Sequence, residues 1–350
     1  MTTNRKKRLI WQLPFLILLI VGTILIIRQQ QPVPYQHCSG RVFGTFYNVT
    51  YQHGDDLQDV LEARMQEVDD ALSMFNKQSI ISHINNNEPV ELNDMFLKVY
   101  LQAQEISKDT EGAFDITVAP LVNAWGFGFK NDQMPTAEQV DSIREFVGYE
   151  KIRLEEADQH GSKAKVQRII KSDPRMMLDC SAIAKGFGVD MVAQVLEEKG
   201  VENYLVEIGG EVITKGVSEK RVPWKIGVTK PTDDPLQEGG ELQTVLNITD
   251  KAMATSGNYR NFYYKGGRKY AHTIDPKTGR PVQHNILSAT VLCNNCARAD
   301  AYATAFMVMG LERAKEVLKR NPDLMAYLIY DEKGQNKVWY SPSLKDKIED

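Results

Sequence analysis

The order of helical and strand-forming segments constrains the fold of this chain more than any other feature. Apolar residues recur at helical spacing from Leu57 to Leu72 and again from Phe96 to Ile106. From Tyr204 to Cys293, in contrast, strand-forming segments follow one another without an intervening helix. Strands that lack helical crossovers between them usually pair antiparallel. The sequence therefore predicts an α+β fold with a largely antiparallel sheet core and flanking helices.

Composition and charge exclude several classes of protein. At 350 residues, with 42% hydrophobic and 25% charged residues, the chain can form one or two globular domains. Its formal net charge of −4 gives no general attraction for nucleic acid. Six His and four Cys residues are too few and too scattered for a disulfide scaffold or a Cys-rich zinc site. The pair Cys293 and Cys296 fits either a redox-active or disulfide pair, or two buried thiols at the end of a strand.

The N-terminal segment has the pattern of a membrane anchor. A basic run, Arg5–Arg8, precedes an apolar segment of nineteen residues, Leu9–Ile27, interrupted only by Gln12, Pro14, Gly22 and Thr23. At about 1.5 Å per residue, a helix of this length covers close to the hydrocarbon thickness of a bilayer. The positively charged flank is expected to stay in the cytoplasm, so the remainder of the chain would face outward.

A cleaved signal peptide is the alternative for this segment. However, Arg28–Pro32 contains no small-residue cleavage site, and the residues before Cys38 lack the small side chains of a lipoprotein signal. We expect residues 1–28 to form a cytoplasmic basic flank and an uncleaved anchor, residues 29–39 a tether, and residues 40–350 one folded domain. The protein would then span the cytoplasmic (inner) membrane once, with this domain on the outer, periplasmic face.

The segment His272–Gly279 combines a candidate general base, a carboxylate, a turn containing Pro, and a Gly. The preceding run, Arg260–Tyr270, is rich in Tyr and Phe and therefore indicates a strand. A strand that ends in a tight turn would hold His272 and Asp275 on a fixed backbone near a sheet edge. Asp-Pro and Thr-Gly are also ordinary turn dipeptides, so a purely structural turn is the alternative.

Asp300 and Thr304 lie four positions apart on a predicted helix, Ala297–Met309, and therefore share one face. A carboxylate and a hydroxyl are hard oxygen ligands suited to Mg²⁺. The alternative is that Asp300 interacts with the helix dipole and Thr304 bonds back to the carbonyl of Asp300.

The segment Asp179–Gly186 has the form of a strand end, a turn of small residues and the start of a helix. Backbone amides at such a helix start suit a phosphate, and Lys185 can neutralise its charge. The order of a Walker loop is absent. Gly209-Gly210 permits close backbone approach to a ligand, and Thr255–Tyr259 offers hydroxyls and a turn. For both segments, a simple turn is the alternative.

Taken together, these segments resemble the ApbE flavin transferases, which move FMN from FAD onto a protein hydroxyl. The resemblance extends from Gly40 to Gly310. The segments that match, in order, are Phe43–Thr45, Ser73–Phe75 with Ser79 and Asn85, Gly112–Thr117 with Pro120-Leu121 and Trp125–Gly128, Asp179–Gly186, Ile208–Gly210, Thr255–Gly257, His272–Gly279, and Ala299–Ala301 with Thr304.

The resemblance implies roles for individual residues. The positions expected to contact FAD, at its isoalloxazine, its adenine or elsewhere on the dinucleotide, are Phe43, Phe75, Ala113, Phe114, Asp115, Asp179, Lys185 and Thr273. Mg²⁺ would be held by Asp300, Thr304 and the backbone carbonyl of Ala182. His272 matches the proposed base, and Asp275 would either orient His272 or be the base itself.

Four positions depart from the family's usual residues. Phe43 stands where Met is usual, and Phe75 stands where Tyr is common, which removes a hydroxyl but keeps a stacking face. Glu207 replaces the usual Asn, and Cys180 is unusual beside Asp179.

The resemblance implies a Mg²⁺-dependent transfer of FMN from FAD to a Ser or Thr hydroxyl of an acceptor protein, with release of AMP. The expected acceptors are flavin-carrying subunits of membrane electron-transport complexes. Three alternatives remain: an FAD pyrophosphatase that forms FMN and AMP, a non-catalytic membrane-tethered flavin-binding protein, and a thiol oxidoreductase that uses Cys293 and Cys296.

Overall fold

The computed structural model describes residues 14–23, 33–129, 134–158, 165–231, 241–258, 262–265 and 268–349. The helices are α1 (residues 14–23), α2 (Gln58–Leu72), α3 (Ile80–Asn85), α4 (Asp94–Asp109), α5 (Ala119–Ala124), α6 (Ala137–Arg144), α7 (Ser181–Glu198), α8 (Cys296–Met309) and α9 (Leu311–Arg320). Short 3₁₀ helices cover Ile116–Val118, Tyr149–Lys151 and Pro342–Lys347.

The strands are β1 (Tyr35–Val42), β2 (Thr45–Gln52), β3 (Ile152–Asp158), β4 (Lys165–Lys171), β5 (Tyr204–Ile208), β6 (Glu211–Lys215), β7 (Trp224–Thr229), β8 (Leu242–Ile248), β9 (Lys251–Gly257), β10 (Phe262–Lys265), β11 (Arg268–Ala271), β12 (Ile274–Asp275), β13 (Arg280–Pro281), β14 (Ile286–Cys293), β15 (Met325–Glu332), β16 (Gln335–Tyr340) and β17 (Ile348–Glu349).

An eight-stranded sheet forms the centre of the fold, in the order β1-β2-β5-β6-β9-β14-β15-β16. Each neighbouring pair in this sheet is antiparallel. A three-stranded sheet, β17-β8-β7, and three hairpins, β3-β4, β10-β11 and β12-β13, complete the strand pairing among the described residues. The predicted α+β class with a largely antiparallel sheet is confirmed.

Helices α7 and α8 lie against each other and against this sheet, with α8 contacting β9 and β14. Their contact is close because Gly186 has no side chain: a Cβ there would lie 2.4 Å from the carbonyl oxygen of Cys296. The carboxylate of Asp190, on α7, accepts hydrogen bonds from the backbone N–H groups of Cys296 (2.8 Å) and Ala297 (2.9 Å). One helix therefore caps the N-terminus of the other, which fixes their relative position.

Several segment boundaries differ from the sequence-based expectation. β1 and β2 form a hairpin, and its turn residues Phe43 and Gly44 have positive φ angles of 50° and 74°. β1 begins at Tyr35, inside the expected tether, so ordered sheet structure starts before residue 40. The expected strand Arg260–Tyr270 contains two strands, β10 and β11, which pair with each other. These differences arise because hairpin pairing depends on partner strands that a local pattern does not reveal.

A capping box is present at the start of α6, with Thr136 and Gln139 exchanging hydrogen bonds. Cys293 and Cys296 are free and buried. Burial raises the pKa of the Cys293 thiol to about 11 and that of Cys296 well above its usual value. Both are therefore protonated at neutral pH and poorly reactive, as expected for structural thiols.

The described part of the expected membrane anchor is α1, whose large apolar side chains, including Phe15 and Leu18, are exposed. The rest of Leu9–Ile27 lies outside the described residues. Within the ranges that the structure describes, none of the helices has the length and apolar character required to cross a membrane.

Candidate active site

A cavity of about 420 Å³ lies where α7, α8, the β5–β6 turn and the segment after β11 meet. The cavity is lined by most of the residues that were expected to bind FAD or a metal or to act as the base. These are Phe75, Ala113, Phe114, Asp115, Asp179, Ala182, Lys185, His272, Thr273, Asp300 and Thr304. They come from segments that are far apart in the chain. Phe43 and Asp275 do not line this cavity.

A cluster of buried charges lies at the α7–α8 side of the cavity. Asp300 is 2% exposed, and its Oδ2 lies 3.7 Å from the Nζ of Lys185 and accepts a hydrogen bond from the N–H of Gly186 at 3.1 Å. The same Nζ lies 2.9 Å from Oε1 of Glu211, which is 3% exposed. Burial raises the pKa of both carboxyl groups, and the ammonium of Lys185 opposes that shift. Burial alone would lower the pKa of Lys185, but the two carboxylates raise it, so the lysine is charged at neutral pH.

Thr304 lies one helical turn after Asp300, and its hydroxyl is 3.1 Å from the hydroxyl of Ser256 on β9. The Thr304 hydroxyl thus contacts a neighbouring strand, in contrast to the alternative in which it bonds back to the carbonyl of Asp300. Asp300 and Thr304 therefore both line the cavity with side-chain oxygens, beside Ala182 in the first turn of α7.

This oxygen donor set suits Mg²⁺, which prefers hard oxygen ligands and takes few of them from the protein. The set contains a single side chain of the His, Cys, Asp or Glu type. Among the described residues, no group of three or more such side chains is arranged to hold a metal ion. A cation at Asp300 would thus depend on the hydroxyl, the carbonyl and the substrate for its other ligands.

His272 follows β11 and lines the cavity half-buried, with its ring 6.5 Å from that of Phe127 in an edge-on arrangement. The next residue, Thr273, is buried and donates a hydrogen bond to the side chain of Asn258 at 2.7 Å. Asp275 has a different environment, because its carboxylate accepts a hydrogen bond from the N–H of Lys277 at 2.9 Å within the turn. The ring of His272 therefore faces the cavity, whereas the carboxylate of Asp275 stabilises the turn.

An aromatic stack supports the segment around His272. Tyr263 of β10 and Tyr270 of β11 stack at 5.4 Å, and Tyr270 stacks on Trp125 at 5.8 Å. The indole N–H of Trp125 donates to the carbonyl of Gly279 at 2.7 Å. The loop that contains Trp125 and the turn that follows His272 are thereby fixed to each other.

Asp115 and Asp179 line the cavity but also organise the local backbone. Asp115 is buried and accepts hydrogen bonds from Thr117 through its N–H (2.8 Å) and its hydroxyl (2.7 Å), and from the N–H of Tyr149 (2.8 Å). Burial raises the pKa of its carboxyl, and these hydrogen bonds oppose the shift. Asp179 accepts from the N–H of Ser181 at 2.7 Å and so stabilises the turn that leads into α7.

A second cavity of about 450 Å³ adjoins the first and shares Phe75, Ser181 and Lys185 with it. Phe43 lines this second cavity, and Gly188 leaves the space for its ring. Phe75 is 63% exposed, with its ring 5.7 Å from that of Phe129. The two expected aromatic positions therefore lie in adjoining cavities, with Phe75 at the boundary between them.

The family model of the ApbE family matches residues 43–329. The chain belongs to the ApbE family. An FAD:protein FMN transferase of Vibrio cholerae is 37% identical over 93% of this chain and 96% of its own length. An FAD:protein FMN transferase of Haemophilus influenzae is 39% identical over 83% of this chain and 85% of its own length. The solved structure of the flavin transferase ApbE from Vibrio cholerae superposes with a TM-score of 0.79 at 36% identity, covering 90% of this chain and all of that one.

Membership of the ApbE family confirms the resemblance inferred from the motifs, but local sequence patterns missed several residues of the site. The position of Glu211 directly after Gly210 indicates an ordinary polar residue at the start of a strand, but Glu211 is buried against Lys185. The position of Asp190 indicates an ordinary polar residue on a helix, but its carboxylate caps α8. The sequence signal that could have identified Glu211 and Asp190 is an acidic residue within an otherwise apolar segment. Such a residue is expected to be buried, and a buried acid requires a partner.

Glu207, which stands where Asn is usual, accepts hydrogen bonds from the N–H of Gly210 (2.8 Å) and from Asn48 (2.6 Å). It thus stabilises the β5–β6 turn from outside the cavity. Cys180 is buried at the N-cap of α7 without a side-chain capping hydrogen bond.

Proposed function

We propose that this ApbE-family protein is a Mg²⁺-dependent FAD:protein FMN transferase that attaches FMN to a Ser or Thr hydroxyl of an acceptor protein and releases AMP. The observation that supports this proposal most is the meeting, in one cavity, of an accessible His, a charged Lys and an acid–alcohol pair on α8. The names of the similar proteins from Vibrio cholerae and Haemophilus influenzae support the same activity.

In the proposed reaction, the acceptor hydroxyl oxygen forms a bond to the FMN-side phosphorus of FAD, and the phosphorus–oxygen bond to AMP breaks. Lys185 lies where its ammonium can neutralise charge on the phosphoryl oxygens. It also keeps the diphosphate beside α7, whose N-terminal amides favour anions. Positioning and charge neutralisation are the main protein contributions to phosphoryl transfer.

Asp300, Thr304 and the carbonyl of Ala182 are the proposed ligands of Mg²⁺, in agreement with the oxygen character of this donor set. When bound, the ion would stabilise negative charge that develops on the phosphoryl oxygens in the transition state. Gly186 donates its N–H to Asp300 and thereby orients the carboxylate.

His272 is the proposed base that accepts the proton of the acceptor hydroxyl. Its ring lines the cavity, and the aromatic stack around Trp125 and Tyr270 fixes the segment on which it lies. General-base assistance of this kind accelerates reactions typically about 10²- to 10⁴-fold.

We further propose that residues 1–28 anchor the protein in the cytoplasmic membrane, with residues 40–350 on the outer face. The exposed apolar side chains of α1 and the basic run before it support this proposal. The proposed acceptors are flavin-carrying subunits of electron-transport complexes displayed on the same face.

The test of the activity is to incubate the protein with FAD and Mg²⁺, with and without a candidate acceptor, and to measure AMP and the intact mass of the acceptor. We expect the acceptor to gain the mass of FMN less water on one Ser or Thr, with one AMP released per FMN attached. Equal AMP release without the acceptor would favour the FAD pyrophosphatase, and intact FAD would favour a flavin-binding protein.

A further inference from the structure

Glu211 is a buried acid in the cavity to which the proposed reaction assigns no role. It is the first residue of β6 and follows Gly209 and Gly210, which have positive φ angles of 62° and 101°. This turn directs β6 back along β5 and brings Glu211 into the cavity opposite α7 and α8. A buried carboxylate at this position requires a compensating partner.

The structure provides a partner for only one of the two carboxylate oxygens of Glu211. Oε1 of Glu211 lies 2.9 Å from Nζ of Lys185, whereas Oε2 is buried and has no hydrogen-bond partner among the described residues. Lys185 is also shared, since its Nζ lies 3.7 Å from Oδ2 of Asp300. Two buried acids thus share a single ammonium, and when both are ionised the cluster has one excess negative charge.

The excess negative charge indicates which kind of ligand would be the partner of Oε2 of Glu211. A phosphate oxygen is excluded because it would add negative charge and repel the carboxylate. A substrate hydroxyl could donate a hydrogen bond to Oε2, but it would leave the excess charge in place. A divalent cation removes the excess charge and leaves the cluster with one net positive charge, which favours a bound diphosphate. Mg²⁺ also keeps several water molecules, whose O–H groups can donate to a nearby carboxylate oxygen.

We infer that Glu211 is a positioning residue of the divalent-cation site: together with Asp300 it supplies the negative charge that attracts the ion, and it holds Lys185 beside the site. The inference rests on the proposed Mg²⁺ dependence and adds a second carboxylate to it. Before the ion binds, Lys185 serves as the shared counter-ion of both carboxylates. Once the ion is bound, the ammonium is available to the diphosphate.

The test is the affinity of the FAD-free full-length protein for Mn²⁺, used as a spectroscopic probe and titrated by electron paramagnetic resonance. Glu211→Gln keeps the size of the side chain and an oxygen for Lys185 but removes the charge. We expect its dissociation constant for Mn²⁺ to rise about 10- to 100-fold, the range for residues that support metal ligands. Its melting temperature without metal should equal or exceed that of the wild type, because an uncompensated buried charge is removed.

Glu207→Gln is the matched control. Glu207 lies on the same turn and loses the same charge, but both of its oxygens already have hydrogen-bond partners and it does not line the cavity. We expect its Mn²⁺ affinity to stay within about twofold of the wild-type value, since charges outside the site are screened by solvent. Equal affinities for Glu211→Gln and the wild type would overturn the inference, as would a lower melting temperature of metal-free Glu211→Gln.

Transfer of FMN to an acceptor is measured separately, so the inference and the proposed function can fail independently. A wild-type protein that transfers FMN but binds no Mn²⁺ overturns the inference and leaves the transfer activity intact. A wild-type protein that binds Mn²⁺ through Glu211 but transfers no FMN supports the inference and contradicts the proposed function.

Discussion

His272 and Asp275 lie three positions apart in one short segment, yet their side chains have different environments. His272 lines the cavity, whereas Asp275 accepts the N–H of Lys277 and closes its own turn. The sequence alone could not choose between them as the base, because both residue types can accept a proton. The structure distinguishes the two residues because only His272 lines the cavity.

Replacing these two residues by Asn should therefore have unequal effects on FMN transfer. His272→Asn removes the base and should lower the transfer rate about 10²- to 10⁴-fold, with FAD affinity retained. Asp275→Asn keeps the side-chain oxygen that accepts from Lys277, so its rate should stay within about threefold of the wild type, as for most substitutions that preserve a local hydrogen bond. Single-turnover transfer rates and FAD binding by fluorescence measure both effects. A larger loss in Asp275→Asn than in His272→Asn would make Asp275 the base.

His284 should make the folded protein sensitive to mild acid. Its Nδ1 accepts from the N–H of Ile286 (3.4 Å), so Nε2 holds the proton and donates to the carbonyl of Val308 (3.1 Å). Partial desolvation lowers the pKa of His284, although the residue is exposed to solvent at the surface. Below the unfolded-state pKa of about 6.5, the unfolded chain therefore binds a proton more readily than the folded protein does. The free energy of unfolding should fall slightly with decreasing pH, because solvent screens the charge of an exposed side chain.

Urea unfolding of the wild type and His284→Gln at about pH 7.5 and about pH 5.5 measures this contribution. The Gln variant should lose less stability between the two pH values, because its side chain does not titrate. An equal loss in both proteins would show that His284 does not contribute to the pH dependence.

At the scale of elements, the α7–α8 contact connects the proposed phosphate-binding and metal-binding residues. Lys185 and Ala182 lie on α7, and Asp300 and Thr304 lie on α8. Two contacts fix the distance between the α7 residues and the α8 residues. The backbone of α8 lies close to Gly186, and the carboxylate of Asp190 caps the N-terminus of α8.

Gly186→Ala should weaken both the fold and the site. The added Cβ would lie 2.4 Å from the carbonyl oxygen of Cys296, and this backbone atom cannot move without displacing α8. We expect a stability loss of about 1–3 kcal/mol, typical of overpacking, and a clear loss of FMN transfer. Gly54→Ala, where no atom lies within 4 Å of the added Cβ, is the control and should leave both unchanged. Urea midpoints and transfer rates that are the same for both variants would contradict this account of the contact.

Sequence patterns anticipated those parts of the structure that depend on local periodicity. Asp300 and Thr304 share a helical face, as their spacing requires, and both line the cavity. The hairpin pairing of β10 with β11 and the partners of Glu211 and Asp190 were not anticipated. These features depend on contacts between segments far apart in the chain, for which a local pattern contains no register information.

At the scale of the whole molecule, the two parts of the chain should have separable roles. The folded domain contains every residue of the proposed site, whereas α1 exposes apolar side chains on a helix of its own. Anchoring would restrict the enzyme to acceptors on one membrane face without contributing to the chemistry.

The full-length protein should therefore sediment with membranes, and a variant that lacks residues 1–32 should remain in the supernatant with an unchanged rate of FMN transfer in solution. The expected result follows from the nineteen-residue apolar segment Leu9–Ile27, which is long enough to partition into a bilayer. Fractionation, followed by transfer assays on both fractions, tests the separation. Recovery of the full-length protein in the supernatant would contradict the proposed anchor.

FMN transfer by this protein is proposed to depend on a divalent cation held at Asp300. The most direct test is the intact mass of an acceptor protein after incubation with FAD and increasing Mg²⁺, using the wild type and Asp300→Asn, a near-isosteric variant expected to stay folded. Wild-type protein should attach FMN in proportion to Mg²⁺ occupancy, and Asp300→Asn should attach almost none at the same concentrations. Attachment by Asp300→Asn at the wild-type rate, or by the wild type with Mg²⁺ removed by a chelator, would contradict the account.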